Sequence, residues 1–449
     1  MPVTQITRWR KLNVWSPQLT PVTGSWPMIA FADFATEVHP DPHRPAPSEH
    51  VKLAGVRWYG RGLFVREERL GSEIKGRCYP LQPGMLVYNR LFAWKSAFAV
   101  VTPEFCGVHV SNEFPQFQLD ELTVDAGFIQ VLCASEPFAA MAAGKSTGTT
   151  AVSRNRLRQI DLMSLTIPLP PLNEQRVMLR AYQIKIDRAD ALSRRATRIR
   201  SAAWMAFEEV LGATSSPVAV SRAVSISRFA SMSRWDDARV DSGPALRWPV
   251  VSLGDYADIR LGCQVPRRGT HGPGVSRPYL RAANVQRGRF DLSDVKNMRV
   301  TERIATALTI RHDDLLFVEG NSQEEVGRAA VWNRQGEYIF QNSLIRARTN
   351  RSMLDPWFTC AWFNCEAGRR YFQTSATTTT GTLWHIGAGK TANAPVPLPP
   401  ISIQRKLAKD LWSALDDAAD NEQQAHALRT HASAELANSV FGQAAPGPA

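Results

Sequence analysis

Cysteine is scarce in this chain, at six among 449 residues, with no Cys-x-x-Cys pair and no histidine nearby at zinc-ligand spacing. This excludes a zinc module and a disulfide framework, so Cys78, Cys106, Cys133, Cys263, Cys360 and Cys365 are expected as buried, reduced thiols. No stretch reaches the ~20 apolar residues a membrane span needs, and Met1 to Arg10 lacks the apolar centre of a signal peptide. A cytoplasmic protein with no membrane partner is expected. Acidic residues are the minority charge, 41 against 53 Lys and Arg, giving a net charge of +12 and a pI near 9.7. That excess suggests a polyanionic partner, with nucleic acid ahead of an acidic membrane.

Catalytic signatures are missing too. Gly144-Lys145-Ser146 resembles the end of a phosphate-binding loop, but position 139, where the motif needs glycine, is Ala139. His39 and His43 lie four apart, yet Pro40 and Pro42 prevent a helix that would bring them to one face. Glu73-Ile74-Lys75 supplies half of a nuclease pattern without the clustered carboxylates that two-metal cleavage requires. No Asn-Pro-Pro-aromatic or Asp-Pro-Pro-aromatic segment of an amino-methyltransferase occurs. The chain is expected to be non-catalytic and to bind neither metal nor cofactor.

What is present is a duplication. Ile167-Pro168-Leu169-Pro170-Pro171-Leu172-Asn173-Glu174-Gln175-Arg176 returns 229 positions later as Val396-Pro397-Leu398-Pro399-Pro400-Ile401-Ser402-Ile403-Gln404-Arg405. Trp26-Pro27-Met28-Ile29 matches Trp248-Pro249-Val250-Val251, and Arg61-Gly62-Leu63-Phe64 matches Arg287-Gly288-Arg289-Phe290. Leu86-Val87-Tyr88 lines up with Leu316-Phe317-Val318, Val110-Ser111-Asn112 with Phe340-Gln341-Asn342, and Arg8-Trp9 with Arg234-Trp235. Two tandem copies of one design follow.

Each copy starts with short apolar runs, such as Met85 to Tyr88 and Ala329 to Trp332, broken by Gly, Pro and Asn and mixed with helical pieces at Ala126 to Cys133 and Pro356 to Phe363. That pattern predicts an α+β body. The Pro-Leu-Pro-Pro segment is extended, and Asn173 and Ser402 are expected as N-caps of long helices. Apolar or small residues at Leu172, Leu179, Tyr182, Ile186, Ala189, Ala196, Ala203, Ala206 and Val210 form one stripe over roughly 58 Å of helix. Leu407, Leu411, Ala414, Ala418, Ala425, Leu428 and Ala432 form another. An antiparallel pair buries both stripes most economically; the alternative docks each helix on its own body.

The duplicated Pro-Leu-Pro-Pro-Leu-Asn-Glu-Gln-Arg joint, followed each time by a long helix, resembles the specificity subunit of type I restriction-modification systems. Val110-Ser111-Asn112-Glu113-Phe114-Pro115, Pro278 to Gly288 and Leu315 to Asn321 are similar to segments of that family's target-recognition domains. The resemblance implies an α+β fold with two target-recognition domains joined and separated by two long antiparallel coiled-coil helices. The expected boundaries are 1–171 and 248–400 for the domains, 172–211 and 401–443 for the helices, 212–247 for a linker opening the second repeat, and 444–449 for a disordered tail. It also implies a bipartite, asymmetric double-stranded DNA site whose spacing the helices set. The implied partners are methyltransferase subunits, two of them, and restriction/translocase subunits, which use S-adenosylmethionine, ATP and Mg²⁺. Glu174, Gln175, Arg176, Gln404 and Arg405 are the candidate subunit-assembly residues. The second joint departs from the first by having Ser402-Ile403 in place of Asn173-Glu174. Other readings are a stand-alone nuclease or methyltransferase with degenerate motifs, and a protein-only adaptor.

A DNA reader takes affinity from Lys and Arg on phosphates and specificity from Arg, Asn, Gln or Glu at base edges. In the first body the segments mixing these types with aromatics nominate Arg57, Trp58, Arg61, Tyr88, Asn89, Arg90, Trp94, Lys95, Lys145, Ser146, Thr149 and Arg154. In the second they nominate Arg281, Asn284, Gln286, Arg287, Asn321, Ser322, Trp384, His385 and Lys390. Arg188, Arg194, Arg195 and Arg198 read as a solvated or subunit-facing side of the first helix.

Overall fold

Each proline-rich joint is pinned into a strand pair. In the computed structural model, which describes residues 26–147, 155–213, 246–264, 274–378 and 381–442, Met28–Ala30 pairs antiparallel with Thr166–Pro168, and Val250–Ser252 pairs with Pro395–Pro397. The matching Trp-Pro and Pro-Leu-Pro-Pro segments are therefore the two edges of one ribbon in each repeat. Proline is tolerated there because each strand of a two-stranded ribbon has a free edge. The echo at Arg8 and Arg234, most of the 212–247 linker and the tail lie outside the described residues.

The chain divides into two units, residues 1–193 with 422–449, and residues 194–421. In the first, a four-stranded antiparallel sheet runs in the order Ala35–Val38, Gln116–Leu119, Leu86–Tyr88, Phe98–Val100. A second sheet is ordered Leu63–Leu70, His50–Val56, His109–Val110, Tyr79–Pro80, and its His50–Val56/His109–Val110 pairing is parallel. Helices Ala126–Cys133, Glu136–Lys145 and Gln159–Met163 follow, and Phe31, Phe98, Phe117, Phe128 and Phe138 fill the core.

The second unit repeats this plan. Its four-stranded sheet is ordered Ala257–Leu261, Leu344–Thr349, Leu315–Val318, Ala329–Val331, and Val275–Leu280 pairs in parallel with Ile339–Phe340. Helices Pro356–Asn364, Glu366–Ser375 and Gly387–Ala392 take the matching places. The aligned segments Leu86-Val87-Tyr88 and Leu316-Phe317-Val318 thus lie in equivalent central strands. The α+β reading of the bodies holds.

The long helices are Leu172–Leu211 and Ile401–Phe441. Both begin at the expected residue, but their caps lie two positions before those expected, so Asn173 and Ser402 lie inside the first turn and do not cap it. The carbonyls of Pro171 and Pro400 receive the first-turn amides instead: Gln175 donates to Pro171 at 3.0 Å, and Gln404 to Pro400 at 3.1 Å. Proline sits well here because its fixed φ leads into the helix.

Side chains at 175, 182, 189, 196 and 203, and at 404, 411, 418, 425 and 432, recur every seven residues, and nearly all are buried. Ala189, Ala196, Ala418 and Ala425 are wholly buried, forming the narrow seam of a coiled coil. In the first unit the two helices run antiparallel. Lys185 pairs with Glu435, Arg429 bonds Asp190 at 2.8 Å, and Ser193 bonds Glu422 at 3.1 Å. Trp204 meets Trp412 edge-on in the second unit.

After 203 and 432 the spacing changes to four, through Phe207 and Leu211 and through Leu436 and Val440. These positions leave the seam and enter a body: Leu436, Ala437, Val440 and Phe441 join the core of the first unit, and Phe207 and Leu211 that of the second. The expected stripe members Ala206 and Val210 are exposed as a result. Pairing and docking on a body are therefore combined along one helix. Of the cysteines, Cys78, Cys133, Cys360 and Cys365 are buried, whereas Cys106 is exposed and Cys263 half-buried; Cys106 lies at the end of a surface 3₁₀ turn, Pro103–Phe105. Among the described residues no single helix is long and apolar enough to cross a membrane.

Candidate nucleic-acid interface

In both units the segment leaving the central strand carries the candidate readers. In the first unit this is 89–95. Asn89 turns the chain by accepting the Leu91 amide at 3.0 Å. Arg90 is largely covered, donating to the Asn112 carbonyl at 2.6 Å and facing Glu113 at 3.4 Å. Arg156 reaches the same Glu113 at 2.7 Å, so two guanidinium groups share one carboxylate and one positive charge is left over.

The turn after His50–Val56 packs against 92–96. The Tyr59 amide donates to Lys95 at 2.8 Å and that of Gly60 to Ser96 at 3.0 Å. Lys95 Nζ lies 3.6 Å over the Trp58 ring and 4.8 Å from that of Trp94, while Trp58 leans on Phe92. Arg57 and Arg61 are exposed at either end of the turn. Cation–π contact holds Lys95 against the aromatics without neutralising it. The turn requires Tyr59 at φ 60° and Ser96 at φ 53°, left-handed conformations that cost a non-glycine residue about 1–2 kcal/mol.

In the second unit the corresponding segment is 319–325. Asn321 and Gly320 pair with Trp384 and His385 in a short ribbon, and Glu319 bonds His385 Nδ1 at 2.9 Å. The Asn321 side chain accepts the Ser322 amide, and Lys390 Nζ donates to Thr377 at 3.2 Å. At the other end of the segment, Arg287 and Arg328 converge on Glu325 at 2.8 and 3.4 Å. Burial alone would raise the Glu325 pKa, but the hydrogen bond from Arg287, then Arg328, outweighs it and holds the carboxyl below its usual range. Arg281 pairs with Asp294, and the Gln286 amide donates to Ala283.

The joints match in detail. Gln175 Oε1 accepts the Asp125 amide at 2.9 Å, while its Nε2 donates to Thr123 at 3.0 Å and Pro170 at 2.8 Å. Gln404 repeats this with Asp355 at 2.9 Å, Met353 at 3.0 Å and Pro399 at 2.7 Å. Asp125 and Asp355 cap the next body helices, accepting from Phe128 and Phe358, and Arg176 and Arg405 each lie 4.0 Å from the capping carboxylate.

No protein-family profile matches the chain. A curated relative, the type I restriction enzyme EcoKI specificity subunit of Escherichia coli (strain K12), is 22% identical over 292 residues, 64% of this chain. Those residues span 58% of that protein. A chain from a solved structure described as the structural basis underlying complex assembly and conformational transition of the type I R-M system superposes with a TM-score of 0.56. It is 18% identical, over 93% of this chain and 97% of that one. The two chains share a fold. The HsdS subunit from Thermoanaerobacter tengcongensis (TM-score 0.43, 17% identity, 93% of this chain and 97% of that one) and the S subunit from M. genitalium (0.46, 13%, 94% and 99%) superpose too loosely to bear on it.

On this fold the nominated residues separate. Arg57, Trp58, Arg61, Asn89, Trp94 and Lys95 come together in the first unit, and Asn321, Ser322, Trp384, His385 and Lys390 in the second. Arg90, Arg281 and Arg287 stand nearby but are already paired with carboxylates. Three candidates are corrected. Tyr88 is wholly buried, stacked on Phe98 and donating to the Leu157 carbonyl at 3.1 Å, and burial pushes its phenol pKa well up. Ser146 is buried and donates back to Ala142 at 2.7 Å, next to an exposed Lys145. Asn284 is buried, its amide donating to Asp291 and Asp294.

Gln175 and Gln404 are corrected as well: both are fully buried with every bond made inside their own unit, which leaves Glu174, Arg176 and Arg405 as the accessible part of the assembly set. Thr149 and Arg154 lie outside the described residues. Tyr59, 63% exposed, lies within the nominated run Arg57-Trp58-Tyr59-Gly60-Arg61 but is not among the candidates drawn from it; a bulky aromatic directly before a turn glycine is the available signal. Among the described residues no group of three His, Cys, Asp or Glu is placed to hold a metal.

Proposed function

We propose that this chain is the DNA-recognition subunit of a type I restriction-modification complex. Each unit reads one part of an interrupted, asymmetric site in double-stranded DNA. Two methyltransferase subunits and the restriction/translocase subunits, supplied with S-adenosylmethionine, ATP and Mg²⁺, carry out the chemistry on the target so selected, and this chain contributes no catalytic group. The paired helices set the spacing between the two parts of the site, a distance that must be kept in phase with the ~10.5-base-pair repeat of B-DNA.

One observation carries this reading. The two bodies share the order of their four-stranded sheet and the details of their joint, yet the equivalent segments 89–95 and 319–325 present different chemistry, aromatic and cationic in the first, carboxylate, amide and hydroxyl in the second, where the segment pairs with Trp384 and His385. A duplicated scaffold with divergent loops at one place is suited to reading two different sequences. The cationic excess agrees with phosphate contact.

The test is methylome sequencing of the host with and without the gene, followed by binding of the purified complex to the mapped site. Expected are an interrupted methylated motif that vanishes on deletion, and an affinity whose logarithm falls linearly with that of the salt concentration, by about 0.9 per phosphate contacted. An unchanged methylome, identical half-sites, or turnover by the chain without partner subunits would refute the reading.

A further inference from the structure

We infer that Tyr59 is a wedge, whose ring enters the half-site read by the first unit and unstacks one base step. The inference rests on the DNA-recognition reading above and goes beyond it, since a site can be read without being distorted.

Among the described residues three non-glycine positions have positive φ: Tyr59, Ser96 and Asp313. Two of the three face each other across the paired turns at 59–60 and 95–96, joined by both backbone hydrogen bonds. A turn selected for shape alone would hold Gly or Asn at such a position, because both occupy the left-handed region cheaply. Tyrosine does so poorly, and its ring is not compensated by burial, being 63% exposed. Backbone strain under an exposed aromatic is a mark of function rather than packing.

The neighbouring rings have other tasks. Trp58 is covered by Lys95 at 3.6 Å and rests on Phe92 with centroids 5.2 Å apart, so it forms the base of the platform. Tyr59 meets Trp58 only edge-on, at 6.5 Å and 89°. From behind, Gly60 abuts the end of helix Ala126–Cys133: a Cβ at Gly60 would come within 2.2 Å of the Ala134 methyl. The turn is thus backed by rigid structure. Arg57, Arg61 and Lys95 surround it with positive charge for the flanking phosphates. A fixed, exposed aromatic ringed by cations is what side chains that part base steps require; the cost of unstacking is offset by stacking on the inserted ring and by added backbone contact.

Among the described residues the second unit has no counterpart. Its matching turn at Arg287-Gly288 carries Phe290, which is half-buried against Trp332 at 5.0 Å, and Gly288 lies against Trp412. Distortion is therefore confined to one half-site.

The experiment uses the full chain with its methyltransferase subunits and a synthetic duplex carrying the motif mapped in the host. Unstacked bases are detected by permanganate oxidation of thymine and by 2-aminopurine placed at successive positions. Besides the target base that a methyltransferase subunit flips in each half-site, the expected result is one further reactive step, in a single half-site. That signal is lost in Tyr59→Asn, kept in Tyr59→Phe, and accompanied in Tyr59→Asn by a melting temperature equal to or above that of the native chain. A complete footprint with no unstacked step besides the flipped target bases, or a further step that survives Tyr59→Asn, overturns the wedge and leaves recognition standing. Absence of any footprint from the native complex overturns recognition and the wedge together.

Discussion

Gln175 and Gln404 each bind three backbone groups with one amide, closing the joint between a body and its helix. Gln175→Ala leaves the Asp125 N–H and the Thr123 and Pro170 carbonyls without a partner, and each buried group so orphaned costs roughly 1–3 kcal/mol. A loss of at least about 2 kcal/mol is expected, read as a lower urea midpoint; a midpoint equal to the native value would show that water takes over the site. Arg176→Ala, at a half-exposed ion pair, should cost no more than about 1 kcal/mol.

The His43–His109 pair supplies a pH dependence. Their rings stack at 4.9 Å, and burial, then the nearby His43, holds His109 below the ordinary histidine range. Protonation is harder in the folded state than in the unfolded one, so the stabilisation is complete above the unfolded pKa of ~6.5 and is lost as pH falls through the folded value. Urea midpoints should fall on acidification from neutrality more steeply in the native chain than in His109→Gln; parallel profiles would remove His109 from the explanation. At this scale the sequence was least legible. Tyr88, Ser146 and Asn284 have the residue types of DNA readers, but which side of a strand, helix end or turn faces the core depends on partners distant in sequence. Tyr59 was hidden for the complementary reason, since its backbone strain arises from a tertiary contact with 95–96.

The long helices were legible as elements, because proline marks their start and apolar periodicity runs their length. Their caps were misread because Asn173 and Ser402 are cap-type residues standing two positions too late, beyond carbonyls that proline already places. The last turns were misread because a seven-residue seam gives way to a four-residue row where the helix enters a body. Each half of that switch has its own test. Ala189→Leu adds bulk to a wholly buried seam position and should cost about 1–3 kcal/mol through overpacking, measured by thermal melting. Phe207→Ala empties a core position and should cost about 3–5 kcal/mol, with increased hydrogen exchange in the second unit. If the exchange increase were confined to the helix, Phe207 would belong to the seam.

For the whole molecule, the duplication was legible because motifs recurred in order, and both the sheet plan and the Gln-Arg joint follow it. Composition pointed toward nucleic acid, but could not locate the charge, since several arginines in the bodies are matched to carboxylates: Arg281 to Asp294, Arg287 and Arg328 to Glu325, and Arg348 to Asp314. The exposed arginines of the first long helix, Arg188, Arg194, Arg195 and Arg198, belong to no ion pair found among the described residues.

The Trp26 indole donates to the Ser439 carbonyl at 2.8 Å, across 413 positions of sequence, and Leu436 to Phe441 complete the core of the first unit. In a chain made from its N-terminus, the first unit is synthesised early and closed late. At ~5–20 residues per second, roughly 10–50 s separate the emergence of Ser193 from that of Leu436. The second unit, one continuous segment from 194 to 421, has no such wait and is the first able to fold. Translation ended after Asn421 should therefore give a chain in which the described residues of the second unit resist limited proteolysis while those of the first are cut, so that a lesion near the end of the gene would damage the protein's beginning.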